Sequence, residues 1–187
     1  DSSEPVFTVA ASISPSSSVY LDSVLTCSGS AQDPDGGTIT YSYEWLNQTQ
    51  NTVLGTNTSL SLTPSMAEPT DSLSCTITAT DPNGDTAFSV VNVAIDNSAP
   101  MVSNVLISPQ MNVLSDSTLT CSGVLTDVDQ EGLNLAYEWF VAGSSIGTGD
   151  TISLNFSLVQ PGQSVSCVAS VLDNYGAYAS DSSSVSV

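Results

Sequence analysis

Hydrophobic and polar residues alternate with a period of two along much of the chain. Between residues 38 and 45 the large side chains share one face, namely Ile39, Tyr41, Tyr43 and Trp45. Strict alternation over such a short run is the pattern of a strand with one buried face. Similar runs predict about seven short strands in each half of the chain, separated by turns rich in Gly, Pro, Asn and Asp, and no helix.

The second half of the chain repeats the first. The run LTCSG, which begins at Leu25, returns 94 residues later at Leu119, and YEW, which ends at Trp45, returns at Trp139. Later in each copy the offset shortens to 92 residues, because SCTITATDPNG aligns with SCVASVLDNYG. Two copies of one structural module explain these offsets.

The two copies are joined by NSAPMVSN, residues 97–104. Its proline and small polar residues are typical of a short linker, so we predict two domains, residues 1–98 and 99–187. No run of about 18 apolar residues is present, and the sequence therefore predicts no membrane-spanning helix. The chain opens on DSSEP without a signal-peptide pattern, and we expect Asp1 to begin a mature or excised segment.

Each copy carries a cysteine, then a tryptophan, then a second cysteine on successive predicted strands, which resembles the immunoglobulin frame. The surrounding runs GSAQDPDGGTITYSYEW and CTITATDPNGDTAFSVVNVAIDNSAP are similar to PKD and related Ig-like repeats of prokaryotic extracellular surface proteins. The resemblance covers both copies almost end to end. It implies an all-β chain of two tandem seven-stranded Ig-like or PKD-like β-sandwiches.

In such a sandwich the two cysteines of each copy meet across the sheets. The expected disulfides and the tryptophans that should pack against them are Cys27–Cys75 with Trp45, and Cys121–Cys167 with Trp139. The alternative, thiolate ligands to a metal, favours the closely spaced pairs of a CxxC motif, whereas the cysteines of each copy are 46 to 48 residues apart. Disulfides indicate an oxidising, extracellular setting.

The charge of the chain is one-sided. It has 19 acidic residues, no Lys, Arg or His, and a net charge of −19. We therefore expect no binding to nucleic acid or to anionic membranes, because no side chain can neutralise a phosphate. Each carboxylate must be solvated, hydrogen-bonded or matched by a metal ion, and Ca²⁺ is the natural candidate.

The same composition removes most catalytic groups. There is no histidine base, lysine nucleophile or arginine clamp, which leaves only carboxylate-pair chemistry of the kind that glycosidases use. Glu44 and Glu138 lie on the outward face next to each tryptophan, and neither has a second acid at a neighbouring outward position of its strand. We expect solvated strand faces there, and we predict that the protein is not an enzyme.

The acidic turns are the candidate metal sites. An Ig-like topology places the loop after the second strand near the loop after the sixth, at the end where the chain enters the domain. The candidate ligands are Asp33, Asp35, Asp81 and Asp85 in the first domain, and Asp127, Asp129, Asp173 and the linker residue Asp96 for the second. Calcium binding that stiffens a two-domain rod is one interpretation, and plain turns built from Asp, Pro, Asn and Gly are the other.

Three sequons occur, at Asn47, Asn57 and Asn155, each in or beside a predicted loop or strand edge. We keep them as candidate glycosylation sites. The opening run VFTVAASI, Val6–Ile13, is apolar enough to form a strand. We expect it to pair within its own sandwich, and donation to a neighbouring subunit would instead build a polymer.

These features favour a non-enzymatic structural module of an extracellular surface fibre, filament or adhesin. In this view the chain is a rigid, disulfide-pinned rod that contacts neighbouring repeats or copies of itself. The alternative is a polysaccharide- or protein-binding Ig-like module attached to a larger secreted protein. An exposed aromatic platform would favour that alternative, and Tyr20, Tyr175 and Tyr178 are the residues that could contribute to one.

Overall fold

The alternating runs form fourteen strands in four antiparallel sheets. The computed structural model describes residues 3–130 and 132–187, and every regular element in those ranges is a strand. The described residues contain no helix that is long and apolar enough to cross a membrane. The strands are β1 Val6–Ser14, β2 Val24–Gln32, β3 Thr40–Asn47, β4 Thr52–Gly55, β5 Ser59–Ser61, β6 Ser72–Thr80, β7 Thr86–Ala94, β8 Met101–Ser108, β9 Thr118–Thr126, β10 Ala136–Val141, β11 Ser144–Thr148, β12 Thr151–Ser153, β13 Ser164–Leu172 and β14 Tyr178–Ser186.

The chain divides into two compact units, Asp1–Ser98 and Ala99–Val187. In the first unit, a three-stranded sheet in the order β1-β2-β5 faces a four-stranded sheet in the order β4-β3-β6-β7. The second unit repeats this arrangement with β8-β9-β12 and β11-β10-β13-β14. The predicted fold, two seven-stranded Ig-like sandwiches, is confirmed by this strand order.

Each sandwich has its own hydrophobic core, centred on a tryptophan and a disulfide. Trp45 and Trp139 are 0% exposed, and each pairs across the ladder with a cysteine of the next strand, Cys75 or Cys167. The disulfides Cys27–Cys75 and Cys121–Cys167 have S–S distances of 2.03 and 2.07 Å. Both bridges join the two sheets, as the Ig-like frame implies, because β2 and β9 belong to the three-stranded sheets while β6 and β13 belong to the four-stranded ones.

The opening strand lies in its own sandwich. β1 pairs antiparallel with β2, with Phe7 opposite Ala31 and Ile13 opposite Cys27. Hydroxyl pairs add to this ladder on the exposed face, where Ser12 Oγ and Ser28 Oγ are 3.0 Å apart. Ile13 is buried in the first core, so the strand contributes apolar packing as well as backbone pairing.

Candidate functional site

The carboxylate of Asp33 closes its own turn. Asp33 Oδ1 accepts a hydrogen bond of 2.8 Å from the Asp35 N–H, and Oδ2 accepts one of 2.9 Å from the Gly37 N–H. The run DPDGG forms this turn readily, since Asp side chains bond the backbone two residues on and Gly36 takes the positive φ of 88°. Both carboxylate oxygens therefore accept hydrogen bonds within the turn.

The turn after β6 uses the same device and lies against the first. Asp81 Oδ1 accepts hydrogen bonds from the Asn83 and Asp85 N–H groups, at 2.9 and 2.8 Å. A Cβ atom built on Gly37 would lie 2.7 Å from Cδ of Pro82. The loops after β2 and β6 are thus in contact, as the Ig-like topology predicts.

The second domain repeats the pattern. Asp127 Oδ1 accepts a hydrogen bond from the Asp129 N–H at 2.9 Å. Asp173 Oδ1 accepts hydrogen bonds from the Tyr175 and Ala177 N–H groups, at 2.9 and 2.7 Å. Four of the eight candidate metal ligands are therefore hydrogen-bond acceptors for the turns that carry them, namely Asp33, Asp81, Asp127 and Asp173.

The remaining four candidates differ in their surroundings. Asp35 Oδ2 accepts a 2.7 Å hydrogen bond from the Ser3 N–H, and the backbone N–H of Asp96 donates to the Val19 carbonyl at 2.6 Å. Asp85 is half-buried and Asp129 is buried. Among residues 3–130 and 132–187, no group of three or more Asp, Glu, Cys or His side chains is arranged to hold a metal ion. The hydrogen bonds described above are those of turns closed by their own aspartates.

The outward glutamate of the first domain lies in a surface groove, which we call the first groove. It has a volume of about 550 Å³ and is lined by Tyr41, Ser42, Tyr43, Glu44, Thr56, Thr76 and Thr78. Its floor is the outer face of β3 and β6, where Glu44 is opposite Thr76 and Ser42 is opposite Thr78. Its lining is therefore mostly hydroxylic, with one carboxylate.

The second domain has a groove at the equivalent place, which we call the second groove. It has a volume of about 480 Å³ and is lined by Leu135, Ala136, Tyr137, Glu138, Thr148, Gly149, Asp150 and Ser170. The offsets of the repeat relate the two linings, since Tyr137 and Glu138 correspond to Tyr43 and Glu44 at 94 residues. Thr148 and Ser170 correspond to Thr56 and Thr78 at 92 residues.

The second groove contains an acid that sequence reasoning missed. Glu138 has no second acid on its own strand, but Asp150 reaches the same groove from the turn between β11 and β12. Thr148 pairs with Glu138 in the hairpin ladder, and Asp150 lies two residues after Thr148. Only the register of that hairpin, which contains an irregularity beside Trp139, brings the two acids to one groove.

The three sequons have different accessibility. Asn57 and Asn155 are exposed, and the Asn155 Oδ1 accepts a 2.9 Å hydrogen bond from the Ser157 N–H of its own turn. Asn47 is 0% exposed, and its Nδ2 donates to Asp71 and to the Met66 carbonyl. A glycan on Asn47 is incompatible with this fold, because the amide nitrogen that would carry it is buried and already hydrogen-bonded.

The three tyrosines proposed for an aromatic platform are distributed over two domains. Tyr20 lies half-buried in the turn before β2 of the first domain. Tyr175 and Tyr178, which are 40% and 62% exposed, lie in the turn between β13 and β14 and at the start of β14.

The sequence matches no protein-family model and no curated protein. Solved structures that align with it include three N-terminal domains of the outer capsid protein Hoc of bacteriophage RB49, at 15% identity and a TM-score of 0.36, covering 97% of this chain and 58% of that one. A 1.5-MDa bacterial ice-binding adhesin aligns at 16% identity and a TM-score of 0.39, covering 100% of this chain and 65% of that one. The fibronectin(III)-like modules of Clostridium thermocellum CbhA align at 15% identity and a TM-score of 0.34, covering 95% and 93%. At these values the fold assignment rests on the strand order described above.

Proposed function

We propose that the chain is a non-enzymatic structural module of an extracellular surface fibre, filament or adhesin. The observation that carries the proposal is the tandem repetition of one sandwich, each copy crossed by a disulfide that packs in a core with a fully buried tryptophan. A design of this kind resists extension, because a bridge between the two sheets limits how far an unfolded domain can lengthen. The absence of Lys and Arg also removes every trypsin-type cleavage site, which suits exposure outside a cell.

The disulfides support the extracellular part of this proposal. Structural disulfides persist in oxidising compartments and are rare in reducing ones. All four cysteines of the chain are paired, and the described residues hold no free thiol.

Calcium at the acidic turns is a further part of the proposal. A chain with a net charge of −19 and no basic residue gains from any divalent cation that its carboxylates can bind together. The turns already engage the carboxylates of Asp33, Asp81, Asp127 and Asp173, which leaves this role mainly to the exposed Asp35 and Asp96, so we expect weak binding rather than a closed cage. Extracellular calcium modules commonly bind in the range of about 10⁻⁴ to 10⁻³ M.

Self-association is the expected mode of assembly. β1 is paired with β2 in its own sandwich, so polymerisation by strand donation would first have to separate that ladder. Contacts between copies or neighbouring repeats that leave β1 in place avoid this cost. Copies of this chain repel one another electrostatically, so such contacts need screening by salt or bridging by cations.

The proposal is tested on native material and on single molecules. Electron micrographs of the native source should contain filaments with a repeating module, and exclusively monomeric particles would contradict the fibre role. In force spectroscopy, each oxidised domain should lengthen less on unfolding than the same domain after reduction. The difference should correspond to the 48 or 46 residues between the paired cysteines, at about 3.3–3.6 Å per residue. Equal lengthening in both states would contradict the disulfide-pinned rod.

A further inference from the structure

Both grooves run beside a sheet edge that is left open. In the first domain, β4 pairs with β3 only at Trp45, Leu46 and Asn47. Residues 40–44 form the first half of β3. Among the described residues, no strand pairs with them along the edge that faces β4. This open half contributes four consecutive residues, 41–44, to the first groove.

The second domain keeps the same opening in a shorter form. β11 pairs with β10 from Glu138 to Val141, and the Gly149 N–H donates a further hydrogen bond of 3.0 Å to the Tyr137 carbonyl. Ala136 lies beyond this ladder and lines the second groove. In the second domain the opening is therefore limited to Ala136, at the start of β10.

An open strand edge is a template for another extended chain. Its unpaired N–H and C=O groups can form a ladder with a peptide that adds to the sheet as a new strand. The side chains beside the edge then select the peptide. In the first groove these side chains are hydroxyls and the exposed Glu44, and in the second they include Glu138 and Asp150, both exposed.

The charge of the chain determines what kind of segment fits. No Lys, Arg or His exists in the 187 residues, so the groove carboxylates have no side-chain cation to pair with inside the molecule. A second copy of the chain has no basic side chain to offer these carboxylates, so it could contact the grooves only with salt screening or a bridging cation. A segment rich in lysine or arginine would instead be attracted from a distance and would pair with the carboxylates on contact.

We propose that each groove docks an extended basic segment of a partner protein, added as a strand along the open half of β3 in the first domain and beside the start of β10 in the second. The inference goes beyond the structural role, because a module that only spaces other parts of a fibre needs no docking surface. The second groove should bind more tightly than the first, since it has two carboxylates where the first has one.

Binding is measured with the full 187-residue chain and a fluorescent synthetic peptide of alternating threonine and lysine, eight residues long. Fluorescence anisotropy at low salt gives the affinity, and amide shifts of the ¹⁵N-labelled protein locate the contact. We expect shifts along residues 41–44 and 136–138, and weak or absent binding of the peptide in which glutamine replaces lysine. A glutamine peptide that binds equally well, or shifts confined to other surfaces, would overturn the proposal.

The carboxylates are tested against a variant pair of equal net charge. Glu138→Gln with Asp150→Asn should weaken binding at the second groove about tenfold. Asp22→Asn with Asp116→Asn removes two exposed charges outside both groove linings and should change the affinity less than about twofold. All four positions are exposed, and unchanged circular dichroism melts would establish that each variant is folded. If both double variants lost the same affinity for the peptide, overall charge would account for the binding, and the proposal of a specific groove would be wrong.

Strand addition is tested by modifying the peptide backbone. Methylating alternate peptide nitrogens removes the hydrogen-bond donors on one edge of an extended chain, and two peptides methylated in opposite phases cover both edges. One phase should bind about tenfold more weakly than the other if the peptide adds as a strand. Equal binding by both phases would contradict strand addition. If an uncharged oligosaccharide such as cellohexaose shifted the same amides, the groove would be a carbohydrate site, and the proposal of a basic peptide ligand would be wrong.

Discussion

Asn47 Nδ2 donates a hydrogen bond of 2.7 Å to Asp71 Oδ2, and both side chains are buried in the first domain. The same carboxylate oxygen accepts hydrogen bonds from Gln50 Nε2 at 3.1 Å and from the Glu68 N–H at 3.0 Å. This network attaches the loop between β5 and β6 to the end of β3. It also explains how a buried carboxylate is tolerated without any cation, since three donors surround one oxygen.

Replacing Asp71 by alanine should destabilise the first domain by about 2–3 kcal/mol, because the buried amide of Asn47 and the Glu68 N–H lose their acceptor. Thermal or urea unfolding measures the loss. The second domain supplies the control, because Gln163 stands at the equivalent position and its Oε1 accepts a 2.8 Å hydrogen bond from the Gln160 N–H of the same turn. Gln163→Ala should cost less than about 1 kcal/mol. Equal costs at both positions would contradict the importance of the network.

Gly37 should not tolerate a side chain. A Cβ atom there would lie 2.3 Å from Asp33 Oδ2 and 2.7 Å from Pro82 Cδ, so Gly37→Ala must displace one of the two loops. We expect a loss of about 1–3 kcal/mol in the free energy of unfolding. Gly55→Ala is the matched control, because its Cβ would meet Leu60 Cδ1 at an ordinary 3.6 Å. A Gly37→Ala variant as stable as Gly55→Ala would show that the two loops are not in contact.

Each disulfide should stabilise its own domain. Closing a loop of 48 residues contributes up to about 4 kcal/mol in the chain-entropy model, and a loop of 46 residues contributes nearly the same. Reduction, or Cys→Ser at both members of a pair, should lower the melting temperature of that domain by more than about 10 °C. Calorimetry on the Cys27/Cys75 and Cys121/Cys167 double variants separates the two contributions. An unchanged melt after complete reduction would contradict the stabilising role of the bridges.

Calcium should raise the melting temperature if the acidic turns bind it. At a free Ca²⁺ concentration 100 times the dissociation constant, one site adds about 2.7 kcal/mol, and EDTA should reverse the gain. Any salt also screens the repulsion among 19 like charges, so NaCl at matched ionic strength is the necessary control. Asp35→Asn and Asp96→Asn, at the two exposed candidate ligands, should reduce only the calcium-specific part. If Ca²⁺ raised the melting temperature no more than NaCl at the same ionic strength, the acidic turns would not be calcium sites.

The sandwiches could be predicted from the sequence because their signals are local or repeated. Alternation placed Trp45 and Cys75 on inward faces, and the repeat offsets gave the module its limits. The same alternation places Asn47 inward, two residues after Trp45, so the pattern also indicates the burial of that sequon. The turn-closing role of Asp33 is also local, since an aspartate bonds the backbone a few residues onward wherever the chain turns.

The sequence by itself determined the strand pattern, the duplication, the cysteine frame and the uniform negative charge, because each depends on residue identity and spacing along the chain. Only the tertiary structure decided that Asp150 joins Glu138 in one groove, that Pro82 lies against Gly37, and that half of β3 has an open edge. These three features depend on which segments lie side by side and in what register. Hairpin register and loop contacts arise from packing between residues distant in sequence, and no periodic pattern in the sequence encodes that packing.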